Sequence, residues 1–366
     1  MKRIYTIAIG LCCLAGQVKA QEKADIAELE KDADALLSYG PVSVMQKTAL
    51  PPSGDKHDYM SLAPYWWPDP SRPGGLPYIR KDGDINPEVK NYPDKNNMPV
   101  LCENIYKLCL AYHFSGKEAY ARHAVLLIKA WFLDTATRMN PNLNYGQAVK
   151  GVTDGRAEGL IDSRCFIYLI EGIRLLDMTK QDKDGLKTWF SAFLTWMQTS
   201  PIGLDEQNAK NNHGVWYDAQ SLSIALFVDS TDLAHRIIAR AADRLDKQMN
   251  DEGLFPLELE RTTSLHYSVF ALNAFFIIAD LSSKTGTDFW TLTTPSGKSL
   301  GKAFNALLPY LSGEKTWTWK EIHPFNPADA VPLLVRGAEH YNCTSCEAII
   351  QKTAPHGYNR LLIHIL

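Results

Sequence analysis

Beyond Val100 the chain places apolar residues at helical three- and four-residue spacing almost throughout, and strand-like alternation is nearly absent. Helices are predicted over Val100 to Phe114, Glu118 to Leu133, Ala157 to Met178, Asp184 to Gln198 and Val215 to Val228. They continue over Thr231 to Asn250, Ser264 to Lys284, Lys298 to Leu311 and Asp329 to Tyr341, and an earlier one, Ala24 to Tyr39, is stopped by Gly40-Pro41. Gly159 to Leu176 is apolar on most sides, as in a helix enclosed by others, so a layered or toroidal all-α arrangement is expected. No fixed-length repeat is present. The longer links, Arg138 to Arg156, Ser200 to Gly214 and Asp251 to Thr263, recur about every two helices, and chemistry is to be sought there if they gather at one rim.

A different regime precedes Val100. Ten of the twenty prolines lie between Pro51 and Pro99, with Gly74-Gly75, Asp82-Gly83 and Asn96-Asn97 among them, which predicts a long ordered loop without regular helix. Loops of that length inside compact domains usually line or cover a cleft, although a structural wrap has the same composition. Adjacent aromatics Tyr65, Trp66 and Trp67 suit stacking on sugar rings or on a partner, and equally a buried anchor.

Lys2 and Arg3, the apolar run Ile7 to Ala15 and the small residues of Val18-Lys19-Ala20 form a signal-peptide pattern over residues 1–20, which leaves 21–366 as one domain. Export to the periplasm or medium is expected. Leu11 before Cys12 fits lipid attachment poorly, and no later segment is read as a membrane span. The net charge of -3 gives no broad basic field for nucleic acid, while a locally basic cleft for an anionic polymer remains compatible with it. After the leader five cysteines remain, an odd number that excludes a full disulfide framework; Cys343-Thr-Ser-Cys346 closes a small loop or binds metal.

Two clusters carry chemistry. Asn211-Asn212-His213-Gly214 stands where a polar link meets an apolar helix, and free N–H groups at a helix start favour an anion, although a plain capping turn has the same residues. Arg261 and Tyr267, with Leu265 and His266 between them, stand where an extended link leading into a helix aims both side chains at one point. A half-buried, hydrogen-bonded tyrosine is the bland alternative.

Together with His57-Asp58-Tyr59-Met60-Ser61-Leu62-Ala63-Pro64-Tyr65-Trp66-Trp67-Pro68, Gly75 to Tyr78 and Asp82-Gly83 to Glu88, these passages resemble the alginate lyase superfamily, in its family 5 and family 38 kinds. Two spacings depart from the family 5 pattern: Gly214 and Val215 precede Trp216-Tyr217, and Arg261 to Tyr267 is one residue short. The resemblance is accordingly nearer to family 38. It implies an all-α (α/α) toroid, an incomplete α/α barrel, with residues 51–99 as a proline-rich lid, and a lyase that cleaves a uronic-acid polymer by β-elimination. Family roles fall on Asn212, His213, Arg261 and Tyr267, with Tyr65, Trp66, Trp67, Arg80, Asn211 and His266 about the substrate.

The physical logic fits those residue types. Removing the C5 proton of a uronate places charge beside a carboxylate that is already negative, so aimed donors such as Asn212, His213 and Arg261 must neutralise it. Tyr267, its pKa lowered from about 10 by neighbouring positive charge, is read as the acid. The base is His213, or Tyr267 again where the C5 hydrogen and leaving oxygen share a face. No cofactor or metal is expected, since neither a phosphate cradle nor a histidine–carboxylate ligand set is present and Arg261 with Asn212 makes calcium unnecessary. The alternatives are a toroid hydrolase, which needs two opposed acids from Asp69, Asp154, Glu158, Asp218, Glu258 and Glu260, and a non-catalytic glycan-binding protein.

Overall fold

The computed structural model describes residues 23–353, so the leader read at 1–20 lies outside them. Helix α1 covers 23–36. The proline-rich region then carries β1 (Met60–Leu62), β2 (Trp66–Trp67) and β3 (Ile79–Arg80) before α2 (Pro93–Ser115) and α3 (Glu118–Ile128). Strand β4 (Tyr145–Ala148) and a 3₁₀ turn (Ala157–Cys165) lead into α4 (Phe166–Arg174). There follow α5 (Lys180–Thr199), α6 (Pro201–Asn208), α7 (Asn212–Phe227), α8 (Thr231–Gln248), α9 (Pro256–Leu259), α10 (Ser264–Ser283), α11 (Leu300–Leu311), α12 (Val331–His340) and α13 (Cys346–Thr353).

The helices form two layers. An inner row runs α2, α4, α7, α10, α12, each packed on the next, and α3, α8 and α11 pack behind α2, α7 and α10, with α5 also against α7. Position dictates composition: α7 and α10 are buried on nearly every side, whereas α8 buries one stripe, Leu233, Ala234, Ile237, Ile238, Ala241 and Leu245. The result is the expected all-α toroid. Helix α10 alone among the described residues has the length and apolar composition of a membrane span, contrary to the reading that none exists after the leader. Its enclosure by α7, α11 and α12 accounts for that apolarity.

Three further expectations change. Helix α2 begins at Pro93 rather than Val100, because proline at the first position forfeits no bond, and burial of Met98, Leu101 and Ile105 holds the turn around Pro99. The lid therefore ends at residue 92, not 99. The stretch Ala157 to Met178 is not one α-helix but a 3₁₀ turn followed by α4. There Gly159 lies so close to β4 that a Cβ on it would stand 2.4 Å from the Gly146 carbonyl oxygen. Within the links themselves, α6 and α9 are helical. Cys343 and Cys346 form a disulfide, which decides between the two readings of that pair.

The elements around the future site are tied by buried charge. Asp218 of α7, fully buried, receives Arg240 and Arg244 of α8 at 2.6 Å each, and Arg244 Nη1 also donates to the Ala209 carbonyl at 2.7 Å. Gly214 makes room for this: a Cβ there would lie 2.1 Å from the Ala209 oxygen and 2.4 Å from Arg244 Nη1. The glycine of the Asn-Asn-His-Gly passage is thus required by the close approach of the α6–α7 link.

Candidate active site

The three long links meet at one cleft of about 770 Å³. Gln147 and Arg156 come from the first, Asp205 to His213 from the second, and Leu257, Glu260 and Arg261 from the third. The lid adds Tyr65, Trp66 and Arg80, and α10 adds His266, Tyr267 and Phe270, which share one helical face.

Asn211 caps α7, its side-chain oxygen accepting from the His213 N–H at 3.2 Å. Asn212 is wholly buried; its N–H and Nδ2 donate to the two carboxylate oxygens of Glu258 at 2.6 and 2.7 Å, and its Oδ1 has no partner among the described residues. His213 Nδ1 lies 2.7 Å from Oε1 of Glu206, a carboxylate 1% exposed. A hydrogen on Nδ1 satisfies that contact and leaves Nε2 as the ring nitrogen available to the cleft. Burial works to lower the imidazole pKa, but the charge and hydrogen bond of Glu206 outweigh it and hold it above its ordinary value. Burial likewise raises Glu206 and Glu258.

Arg261 and Tyr267 are brought together as the link geometry implied. The guanidinium carbon of Arg261 stands 3.5 Å from the centre of the Tyr267 ring, and its Nε and Nη2 donate to Asp82 of the lid at 3.1 and 2.7 Å. Despite its partial burial, Asp82 is held well below the usual carboxylate range by Arg261. The Tyr267 and Tyr65 hydroxyls are 2.8 Å apart. Burial raises the Tyr267 pKa above that of a free phenol, and Arg261 offsets this only in part. The expected lowering by positive charge is thus overturned, because burial desolvates the phenol.

The remaining expected residues divide. Antiparallel pairing of Trp66 with Arg80 and of Trp67 with Ile79 sends the two indoles to opposite sides of the ribbon. Trp66 lines the cleft, 5.9 Å from the Arg156 guanidinium; Trp67 does not, its Nε1 donating to the Asp84 carbonyl at 2.9 Å. Arg80 lines the cleft and pairs with Asp82 at 2.8 Å. His266 stacks on Phe270 and lies 3.2 Å from Asp329.

The Arg138 to Arg156 link builds one wall from residues that no sequence motif marks. Gln147 adopts a left-handed backbone (φ 49°), held by its N–H on Ser61 at 2.7 Å and its Nε2 on Asp162 at 3.1 Å, and its Oε1 accepts from Arg156 at 2.9 Å. Asp162 also binds Lys95, Ser61 and Tyr59. Of the acids available to a hydrolase, Glu158 and Glu260 line the cleft; Asp69 and Asp154 lie elsewhere, and Asp218 and Glu258 are consumed by Arg240, Arg244 and Asn212.

A family model for alginate lyase matches residues 43–317. An alginate lyase from Bacteroides ovatus, whose crystal structure is known, is 39% identical, with 95% of this chain and 96% of that one covered and a TM-score of 0.87. The fold extends to alginate lyase A1-III from Sphingomonas species A1, at 16% identity, 92% and 94% coverage and a TM-score of 0.57. A histidine-to-alanine variant of A1-III, complexed with tetrasaccharide, matches at 16% identity over 85% and 86% of the two chains, with a TM-score of 0.54. Among curated proteins no sequence match was found.

Proposed function

This chain belongs to the alginate lyase family and is a polysaccharide lyase, and on that premise we propose that it cleaves a uronic-acid polymer of the alginate or glucuronan type by β-elimination. The observation that carries the reading is the convergence of His213, with Nδ1 committed to Glu206, and of Tyr267, beside the Arg261 guanidinium, on one cleft.

The raised pKa of Tyr267 and the free Nε2 of His213 divide the labour. A phenol whose pKa is raised stays protonated at working pH, so Tyr267 serves as the acid. His213 Nε2 serves as the base, on a uronate whose C5 hydrogen and leaving oxygen lie on opposite faces. The C5–H pair of electrons becomes the new C4=C5 bond as the C4–O4 bond breaks, and the leaving oxygen takes the Tyr267 proton. Arg261 lowers the cost of the developing charge on the C5 carboxylate, whereas Asn212, whose N–H and Nδ2 are held by Glu258, fixes the start of α7 from which His213 projects and does not donate to that carboxylate. Tyr65, Trp66, Arg80, Asn211 and His266 shape the rest of the binding surface. The tetrasaccharide bound by the A1-III variant supports a saccharide chain as the ligand here. The leader pattern at 1–20 supports secretion or a periplasmic location.

The test is direct: purified protein is incubated with mannuronate, guluronate and glucuronate polymers while ultraviolet absorbance of the conjugated product is followed. Reducing ends without that absorbance reject elimination. No change with any of the three rejects the uronate assignment.

A further inference from the structure

Most cations lining the cleft already have a carboxylate partner. Arg261 and Arg80 share Asp82, Arg156 pairs with Glu158 at 2.9 Å and Lys95 with Asp162. The fields of Arg156 and Lys95 are offset by their partners, whereas Asp82 carries one charge for two guanidinium groups and leaves a net positive field at the lid side of the cleft. Arg164 and Lys210 line the same cleft, and neither has an ion-pair partner among the described residues.

Of these two only Arg164 is held in place. It stands on the 3₁₀ turn Ala157–Cys165, its Nη1 donates to the Ile161 carbonyl at 3.2 Å, and its guanidinium carbon is 5.7 Å from the Phe270 ring centre. Phe270 follows Tyr267 by one helical turn, their rings 6.4 Å apart, and carries His266 stacked 5.9 Å away and Trp216 tilted at 4.8 Å. Two guanidinium groups therefore flank the Tyr267–Phe270 pair. Arg261 is bound to a carboxylate of the lid; the Nε and Nη2 of Arg164 have no protein partner among the described residues, which leaves a fork shaped for a carboxylate.

We propose that Arg164, seated on the Phe270–His266 stack, is a second carboxylate subsite that holds a uronate residue adjoining the one cleaved, so that the cleft recognises successive acid groups along the chain. The inference rests on the lyase reading of this cleft. It assigns Arg164 to binding, away from proton transfer.

The full-length chain tests it with an alginate tetrasaccharide as probe. Calorimetric affinity of Tyr267→Phe is compared with that of Tyr267→Phe carrying Arg164→Gln, and Arg122→Gln, an exposed position on α3 outside the cleft, controls for net charge. Loss of a charge-assisted pair predicts binding weaker by about tenfold or more, a shallower dependence on salt, and partial recovery with Arg164→Lys. In the otherwise native enzyme the loss falls on KM and not on kcat. Equal affinity of the two Tyr267→Phe proteins, an equal effect of Arg122→Gln, or a loss confined to kcat overturns the subsite. A native chain that binds the tetrasaccharide through Arg164 without cleaving any uronate sinks the lyase reading alone, and one that binds neither it nor a glucuronate tetrasaccharide sinks both.

Discussion

The hydroxyl of Tyr65 lies 2.8 Å from that of Tyr267, so the lid touches the cleft at the phenol proposed as the acid. A chain bound in the cleft must displace or share that contact. Tyr267→Phe removes the hydroxyl while keeping the ring under Arg261. The expected outcome is a kcat about 10²- to 10⁴-fold lower, the usual contribution of a positioned acid, with polymer binding retained. Stopped-assay ultraviolet absorbance and calorimetry check the two halves; undiminished turnover removes Tyr267 from the chemistry.

Glu206 sets the pH range of His213. A base must be neutral to accept a proton, and the Glu206 charge holds the imidazole protonated to higher pH than an ordinary histidine, whose pKa is about 6.5. The acidic limb of kcat/KM should therefore lie above that value. In Glu206→Gln the charge is gone and an Nδ1 contact remains available, so the limb moves to lower pH. A limb that stays in place, or moves upward, contradicts His213 as the base.

Most of the helical frame was legible because apolar spacing is a local signal. The Asn212–His213 and Arg261–Tyr267 passages were legible because polar residues at helix starts stand out against apolar helices. What escaped depends on distant contact. Glu206 sits on α6, an eight-residue helix containing Pro201 and Gly203 that leaves no periodic trace, and its partner is reached only once the chain turns into α7. Gln147 and Arg156 occupy a link without periodicity, and Asp162 reads as one polar residue in an apolar run until Lys95, Ser61 and Tyr59 converge on it. The direction of the Tyr267 shift turned on burial in the folded chain, which no local pattern reports. Trp67 was placed in the cleft by adjacency to Trp66, where pairing with β3 sends it to the other side.

Asp82 fastens the lid to the Arg261–Thr262 link, taking Nε and Nη2 of Arg261 and the hydroxyl of Thr262 at 3.0 Å. Its folded-state pKa is depressed, so its stabilising contribution is present above the unfolded value of about 3.9 and is lost as pH falls through the folded one. Asp82→Asn should cost about 1–2 kcal/mol at neutral pH, moderated by solvent at a part-buried site. In urea denaturation the gap between variant and parent should narrow below about pH 4. A gap that widens on acidification contradicts the assignment.

The backbone contact of Gly159 with Gly146 connects folding to the cleft wall. Strand β4 carries Gln147 immediately after Gly146, and the 3₁₀ turn carries Glu158 immediately before Gly159, so the spacing of the two segments fixes where Gln147, Arg156 and Glu158 stand. A methyl group on residue 159 would lie 2.4 Å from the Gly146 oxygen and 2.5 Å from its carbonyl carbon, both backbone atoms that cannot rotate away. Gly159→Ala must separate the segments, at about 1–3 kcal/mol by comparison with other overpacked sites. It should also raise KM, since the wall moves while His213 and Tyr267 keep their own supports on α7 and α10. A chemical denaturation midpoint and KM both equal to those of the parent would show that the two segments are free to part without displacing Gln147.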